Sequence, residues 1–126
     1  MASAALNPVA LIIEDDDKLA LIYAEALRRA QFEAVVISDG AVALAQAAAL
    51  SPALIILDLH LPHISGLQIL EELRQDEQLA KTHVIVTTAD ALQAANVRDK
   101  VDLTLIKPVS FLQLRDEAQR IRDTLA

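Results

Sequence analysis

The sequence predicts a single α/β domain with one open parallel sheet and helices on both of its faces. Five short apolar runs alternate with stretches of helical spacing along 126 residues, and no linker or repeat interrupts them. The runs are rich in leucine and β-branched residues and lack polar alternation, which is typical of strands covered on both faces. Right-handed crossover connections between such strands place the helices on both sides of the sheet.

The approximate bounds of each element follow from the same patterns. The strands are predicted at residues 9–13, 34–37, 53–57, 83–86 and 103–106. The helices are predicted at residues 19–30, 41–50, 67–73, 91–97 and 114–125. Asp16 or Asp17 can cap the first helix, and Ser110 with Gln113 has the spacing of a capping box for the last one.

The composition argues against several classes of function. Cysteine is absent, which excludes disulfides and thiolate metal sites and fits a reducing cytoplasm. A net charge of −7 and only three aromatic residues argue against nucleic-acid binding by this chain. No apolar run is long enough to span a membrane, and residues 1–8 lack the basic start of a secretory signal. The two glycines, Gly40 and Gly66, cannot build a glycine-rich nucleotide loop.

Polar side chains follow four of the five predicted strands. They are Glu14, Asp15 and Asp16 after the first, Asp58 after the third, Thr87 and Thr88 after the fourth, and Lys107 after the fifth. Ligands of open α/β sheets bind beyond the carboxyl ends of the strands, where these groups would meet. Clustered carboxylates repel one another unless a hard cation such as Mg²⁺ compensates. With a lysine and a hydroxyl nearby, the set predicts a metal-assisted site at which a carboxylate accepts a phosphoryl group.

The segments that carry these residues resemble the receiver domain of two-component response regulators. They are LIIEDD at residues 11–16, ILDLHLP at residues 56–62 with Gly66, Thr88-Ala89, and Lys107-Pro108. The resemblance covers residues 8–125 approximately and implies a flavodoxin-like (βα)5 fold with strand order 2-1-3-4-5. One receiver domain is therefore expected over residues 1–126, without an effector domain.

The resemblance implies a phosphoacceptor and a metal site. Asp58 is expected to take a phosphoryl group from the phosphohistidine of a sensor histidine kinase or a histidine phosphotransfer protein. Mg²⁺ or Mn²⁺ is expected to bind Asp15, Asp58 and the backbone carbonyl of His60, with Glu14 as a direct or water-mediated ligand. The chain is then an acceptor that loses its phosphoryl group slowly, and not a turnover enzyme.

The resemblance also assigns the remaining residues of the motifs. Lys107 is expected to pair with the phosphoryl oxygens, and the Thr88 hydroxyl to move in and hydrogen-bond one of them. Pro62 and Gly66 are expected to shape the loop after the third strand, Gly66 by adopting a backbone conformation that is costly for other residues. The proline at position 108 makes a cis peptide bond to Lys107 available.

Several polar residues near the motifs favour a structural interpretation. Asp16 is predicted to cap a helix and not to bind metal, and Thr87 to be a buried strand residue. The side chains of His60 and His63 are predicted to be incidental loop groups. His60 and Asp90 nevertheless occupy positions that flank the phosphoryl group in the family, so both are expected to affect its lifetime.

One position departs from the family. Many receivers carry Tyr or Phe three residues before the lysine, where this chain has Thr104, so the usual aromatic readout is in doubt. The nearby Phe111 is predicted to serve packing. The apolar helices at 41–50 and 91–97 are interpreted as small-residue helix surface, with a homodimer or downstream-target surface as the alternative.

Two other functions remain open at this stage. A haloacid dehalogenase-type phosphatase also forms an aspartyl phosphate, but it needs an aspartate where this chain has His60. A phosphorylation-independent interaction module on a receiver scaffold would suit Thr104, although the retained Glu14, Asp15 and Lys107 count against it.

Overall fold

The computed structural model describes residues 7–125, which form one five-stranded parallel sheet with the strand order β2-β1-β3-β4-β5. The strands are β1 (Val9–Ile13), β2 (Glu33–Ile37), β3 (Leu54–Asp58), β4 (His83–Thr88) and β5 (Leu103–Ile106). The helices are α1 (Asp17–Arg29), α2 (Ala43–Leu50), α3 (Gly66–Gln75), α4 (Ala91–Val97) and α5 (Phe111–Thr124). This architecture confirms the predicted fold and strand order.

The core consists of two clusters, one on each face of the sheet. Successive side chains of a strand point to opposite faces, so Ile12 of β1 and Ile56 of β3 pack with α1 and α5. Their neighbours Ile13 and Leu57 pack instead with α2 and α3. The prediction that every strand is covered on both faces is wrong for the two edge strands, where single residues such as Val36 of β2 are exposed.

Side-chain caps fix where the helices begin. Asp16 caps α1 by accepting hydrogen bonds from the backbone N–H groups of Lys18 and Leu19, which confirms its predicted role. Ser110 caps α5 in the same way by accepting from the N–H of Gln113. Each such cap typically contributes about 1 kcal/mol.

The predicted start of the second helix, at residue 41, is wrong by two residues. A 3₁₀ turn, Gly40–Val42, precedes α2, because the Asp39 side chain caps that turn by accepting from the N–H of Ala41. Residues 7–125 contain no helix that combines the length and the apolar character needed to cross a bilayer.

Candidate functional site

The period of the strands brings three charged side chains to one face of the sheet at its carboxyl edge. Glu14 lies two residues beyond Ile12, and Asp58 two residues beyond Ile56, so both continue the row that faces α1 and α5. Lys107 follows Leu105 of β5 in the same way. The site is therefore a polar rim on top of one of the two apolar clusters.

Lys107 pairs with both carboxylates. Its Nζ atom lies 3.2 Å from Oε1 of Glu14 and 3.2 Å from Oδ2 of Asp58. Because β4 separates β5 from β3, the lysine side chain must extend across β4 to make these contacts. Glu14 and Asp58 are each only 2% exposed, whereas 21% of the Lys107 side chain is exposed. Two carboxylates at this depth require a cationic partner.

Backbone donors hold the second oxygen of each carboxylate. The N–H of Asp16 donates to Oε2 of Glu14 at 3.1 Å, and the N–H of His60 donates to Oδ1 of Asp58 at 2.9 Å. Each carboxylate is thus fixed from two directions. His60 contributes this N–H, while its predicted role as a carbonyl ligand to a metal stays a prediction.

The proton affinities reflect the depth of the site. Burial raises the pKa of Glu14 to about 7, and the charge of Asp58 adds to the rise, although the Asp16 N–H and Lys107 oppose it. Burial by itself lowers the pKa of Lys107, but the charges of Asp58 and Glu14 outweigh it and hold that pKa above its ordinary value. Lys107 is therefore an ammonium at neutral pH.

The carboxylates form a group suited to a hard cation. One oxygen each of Glu14, Asp15 and Asp58 lies within 4.8 Å of the others. Asp15 is exposed, so a cation can reach the group from solvent. Carboxylate oxygens are the ligands that Mg²⁺ and Mn²⁺ prefer. The residues present therefore fit the predicted metal.

The hydroxyl of Thr88 hydrogen-bonds to the loop after β4, and no hydrogen bond joins it to Asp58 in the described part of the chain. Thr88 ends β4 on the α4 side of the sheet, and its Oγ1 accepts a hydrogen bond from the N–H of Asp90 at 3.0 Å. Its carbonyl accepts from the N–H of Lys107 at 2.8 Å, which ties β4 to β5 beside the site. The predicted contact of this hydroxyl with a phosphoryl oxygen stays a prediction.

The loop after β3 corrects one expectation. Gly66 does not have a positive φ, so its predicted role of supplying an unusual backbone conformation is wrong. A Cβ atom at Gly66 would lie 2.5 Å from the carbonyl oxygen of Asp58 and 2.5 Å from Cα of Leu59. The glycine is needed because the start of α3 packs directly on the backbone that carries Asp58.

The other predicted residues lie around this rim. His60 and His63 are exposed loop residues, and the peptide bond between Lys107 and Pro108 is cis. Thr104 is half-buried on β5, and Phe111 packs against the cluster under α1 and α5, as predicted.

Sequence reasoning underestimated Thr87. It is a fully buried residue of β4, as predicted, but it also lies directly opposite Asp58 in the register of β3 and β4. Its Oγ1 has no hydrogen-bond partner within residues 7–125. Two features indicate Thr87. It lies opposite Asp58 in the strand register, and it places a hydroxyl inside an apolar strand.

Replacing Thr87 by valine is expected to raise the free energy of unfolding by about 1 kcal/mol, because valine has the same shape and removes an unpaired buried hydroxyl. Urea unfolding followed by circular dichroism measures the change. Thr88→Val is the matched control and should destabilise, since it leaves the Asp90 N–H without its acceptor. Equal destabilisation by both substitutions would contradict the assignment.

Several curated proteins are similar in sequence to this chain. Hybrid signal transduction histidine kinase D of Dictyostelium discoideum is 33% identical over 85 residues, which are 68% of this chain and 5% of that protein. Sensory transduction protein RegX3 of Mycobacterium tuberculosis is 32% identical over 104 residues, which are 82% of this chain and 46% of that protein. The chain thus spans less than half the length of these curated relatives.

A solved structure and a family description agree with these relatives. The structure described as the Mn²⁺-bound form of response regulator Rcp1 matches with a TM-score of 0.74 and 26% identity over 93% of each chain. Residues 10–119 match the family described as the response regulator receiver domain. Because this match covers most of the sequence, the chain belongs to the response regulator receiver domain family.

Proposed function

We propose that this chain accepts a phosphoryl group on Asp58 from a phosphohistidine of a sensor histidine kinase or a histidine phosphotransfer protein. The observation that carries the proposal is the setting of Asp58. It is buried, its two oxygens are held by the His60 N–H and the Lys107 ammonium, and Asp15 lies beside it. The relative in Dictyostelium, described as a hybrid histidine kinase, is consistent with such a donor.

The transfer is a substitution at phosphorus. An oxygen of Asp58 forms the new P–O bond with its lone pair, and the electron pair of the breaking P–N bond returns to the imidazole nitrogen. Lys107 stabilises the negative charge of the phosphoryl oxygens, and the Thr88 hydroxyl leaves the Asp90 N–H to donate to one of them. Glu14, Asp15, Asp58 and the His60 carbonyl would hold Mg²⁺ or Mn²⁺, which would neutralise part of the negative charge there.

We expect the product to be a state of signalling and not an intermediate of turnover. A haloacid dehalogenase-type phosphatase has an aspartate as general acid two residues after its acceptor, where this chain has His60, whose side chain is exposed. The acyl phosphate is therefore expected to persist until a partner or water removes it. We place this chemistry in the cytoplasm, where histidine kinases present their phosphohistidine.

A second candidate function rests on Thr104. Its small, half-buried side chain cannot fill and vacate a pocket as an aromatic ring does. A phosphorylation-independent contact module is the alternative that this residue favours, with a downstream protein or a second copy of the chain as the partner. Phosphoryl transfer remains the better supported function, because all charged groups that it needs are assembled.

Incubation with acetyl phosphate and Mg²⁺, followed by intact mass measurement, tests the proposal. The wild type should gain one phosphoryl group, and Asp58→Asn should gain none. Asp123→Asn is the control, since Asp123 is exposed in the last turn of α5, at the opposite edge of the sheet from Asp58. No gain by the wild type at high donor concentration, or equal labelling of Asp58→Asn, refutes the assignment.

A further inference from the structure

Tyr23 carries a buried hydroxyl that the proposed reaction does not use. The residue is 1% exposed and packs in the apolar cluster under α1 and α5. Its hydroxyl has no hydrogen-bond partner within the described part of the chain. A phenylalanine would fill the same space without leaving a polar atom unpaired, which normally costs about 1–3 kcal/mol. We therefore expect the hydroxyl of Tyr23 to gain a hydrogen-bond partner in another state of the site.

The direction of α1 aims this hydroxyl at the rim of the sheet. Because α1 follows β1, it begins at the carboxyl edge and runs away from it. Side chains of a helix lean towards its N-terminus, so the ring of Tyr23 extends back towards that edge. The cluster around the ring includes Ile12 and Leu105, and the next residues on the same face of those two strands are Glu14 and Lys107.

The electrostatics agree with this placement. Burial raises the pKa of the Tyr23 phenol to about 12, and among the charged groups that act on it the first is Lys107, followed by Glu14 and Asp58. The phenol thus lies within electrostatic range of the ion cluster, on its core side.

We propose that Tyr23 is a positioning residue for Lys107, whose ammonium donates a hydrogen bond to the Tyr23 hydroxyl when it leaves Glu14 and Asp58 for a phosphoryl oxygen. An ammonium has three N–H donors, and two of them serve Glu14 and Asp58 in this structure. Once the lysine turns from both carboxylates to one phosphoryl oxygen, donors are left for an acceptor on the core side. A neutral acceptor on the core side fixes the position of the lysine side chain and adds no negative charge that would compete with the phosphoryl oxygens. The inference deepens the proposed phosphoacceptor function and rests on it.

Spectroscopy with beryllofluoride and Mg²⁺, which mimic a phosphoryl group on Asp58, tests the contact. Tyr23 is the single tyrosine of a chain without tryptophan, so near-ultraviolet absorption and intrinsic emission report on this ring. Adding the mimic should change both spectra of the wild type, and the change should be lost in Lys107→Met, checked for folding by circular dichroism. Lys81→Met, at an exposed position, should respond as the wild type does. Wild-type spectra that the mimic leaves unchanged, or a change that Lys107→Met retains in full, overturn the proposal.

A double-mutant cycle tests the positioning role. Tyr23→Phe should slow labelling by acetyl phosphate by roughly tenfold or more, the effect of losing one hydrogen bond to a charged group. In the Lys107→Met background the same substitution should have no further effect, which a merely structural role would not produce. Wild-type labelling that Tyr23→Phe leaves unchanged overturns the proposal. A wild type that takes no label refutes the phosphoacceptor function, and the spectra still decide whether Tyr23 and Lys107 interact.

Discussion

In Gly66→Ala, we expect the free energy of unfolding to fall by at least about 3 kcal/mol. The added Cβ would meet two backbone atoms at 2.5 Å, the carbonyl oxygen of Asp58 and Cα of Leu59. Backbone atoms at the end of a central strand cannot move aside as a side chain can, so α3 has to shift away from β3. The shift also displaces Asp58, the proposed phosphoacceptor, and labelling by acetyl phosphate should fall with stability.

Gly40→Ala is the matched control for this prediction. A Cβ at Gly40 would also be crowded, but its close neighbours are side-chain atoms, among them Cγ2 of Ile64 at 2.6 Å. Those side chains can rotate, and we expect a loss of only about 1 kcal/mol. Chemical denaturation of both variants at one pH compares them. Equal losses of stability in the two variants would contradict the prediction that backbone crowding at Gly66 costs more than side-chain crowding at Gly40.

The second large effect is a pH dependence that Glu14 imposes. In the folded state its pKa is raised from 4.5 to about 7, so the folded protein binds this proton more tightly than the unfolded chain does. Stability from this group is greatest below pH 4.5 and is lost as the pH rises towards 7. The shift corresponds to a loss of about 3 kcal/mol over that window.

Unfolding experiments between pH 4.5 and 8 measure this loss. Glu14→Gln should remove most of the decline, whereas Glu77→Gln, at an exposed position, should retain it. Mg²⁺ should also flatten the decline, because a cation at the three carboxylates favours their charged forms. A profile for Glu14→Gln that matches the wild type would assign the pH dependence to other groups.

The sequence was sufficient for the fold and for the charged part of the site, because both follow from periodicity. Apolar runs predicted the strands, and the residue that ends each run, such as Asp58, falls at the shared edge of a parallel sheet. The resemblance then predicted that Thr88, and not Thr87, contacts the phosphoryl group. Composition alone does not distinguish the two threonines.

The remaining features depend on packing between distant segments. The crowding at Gly66 arises where α3 meets β3, and a sequence pattern predicts a glycine without telling close approach from positive φ. The orientation of the Thr88 hydroxyl depends on a bond to the Asp90 N–H. Tyr23 fits an apolar stripe as well as phenylalanine would, so the sequence pattern does not predict that its hydroxyl is buried without a partner.

The reach of Lys107 across the sheet has a consequence for folding. Its two contacts join residues that are 93 and 49 positions apart in the chain. Because contacts over such separations carry a large loop-closure cost, we expect them to close late, after β1, β3 and β4 have paired. During synthesis β1 and β3 emerge before β5 does. Until β5 docks, Asp58 lacks the ammonium that the proposed transfer needs. Labelling by a phosphoryl donor should therefore mark only molecules that have completed their folding.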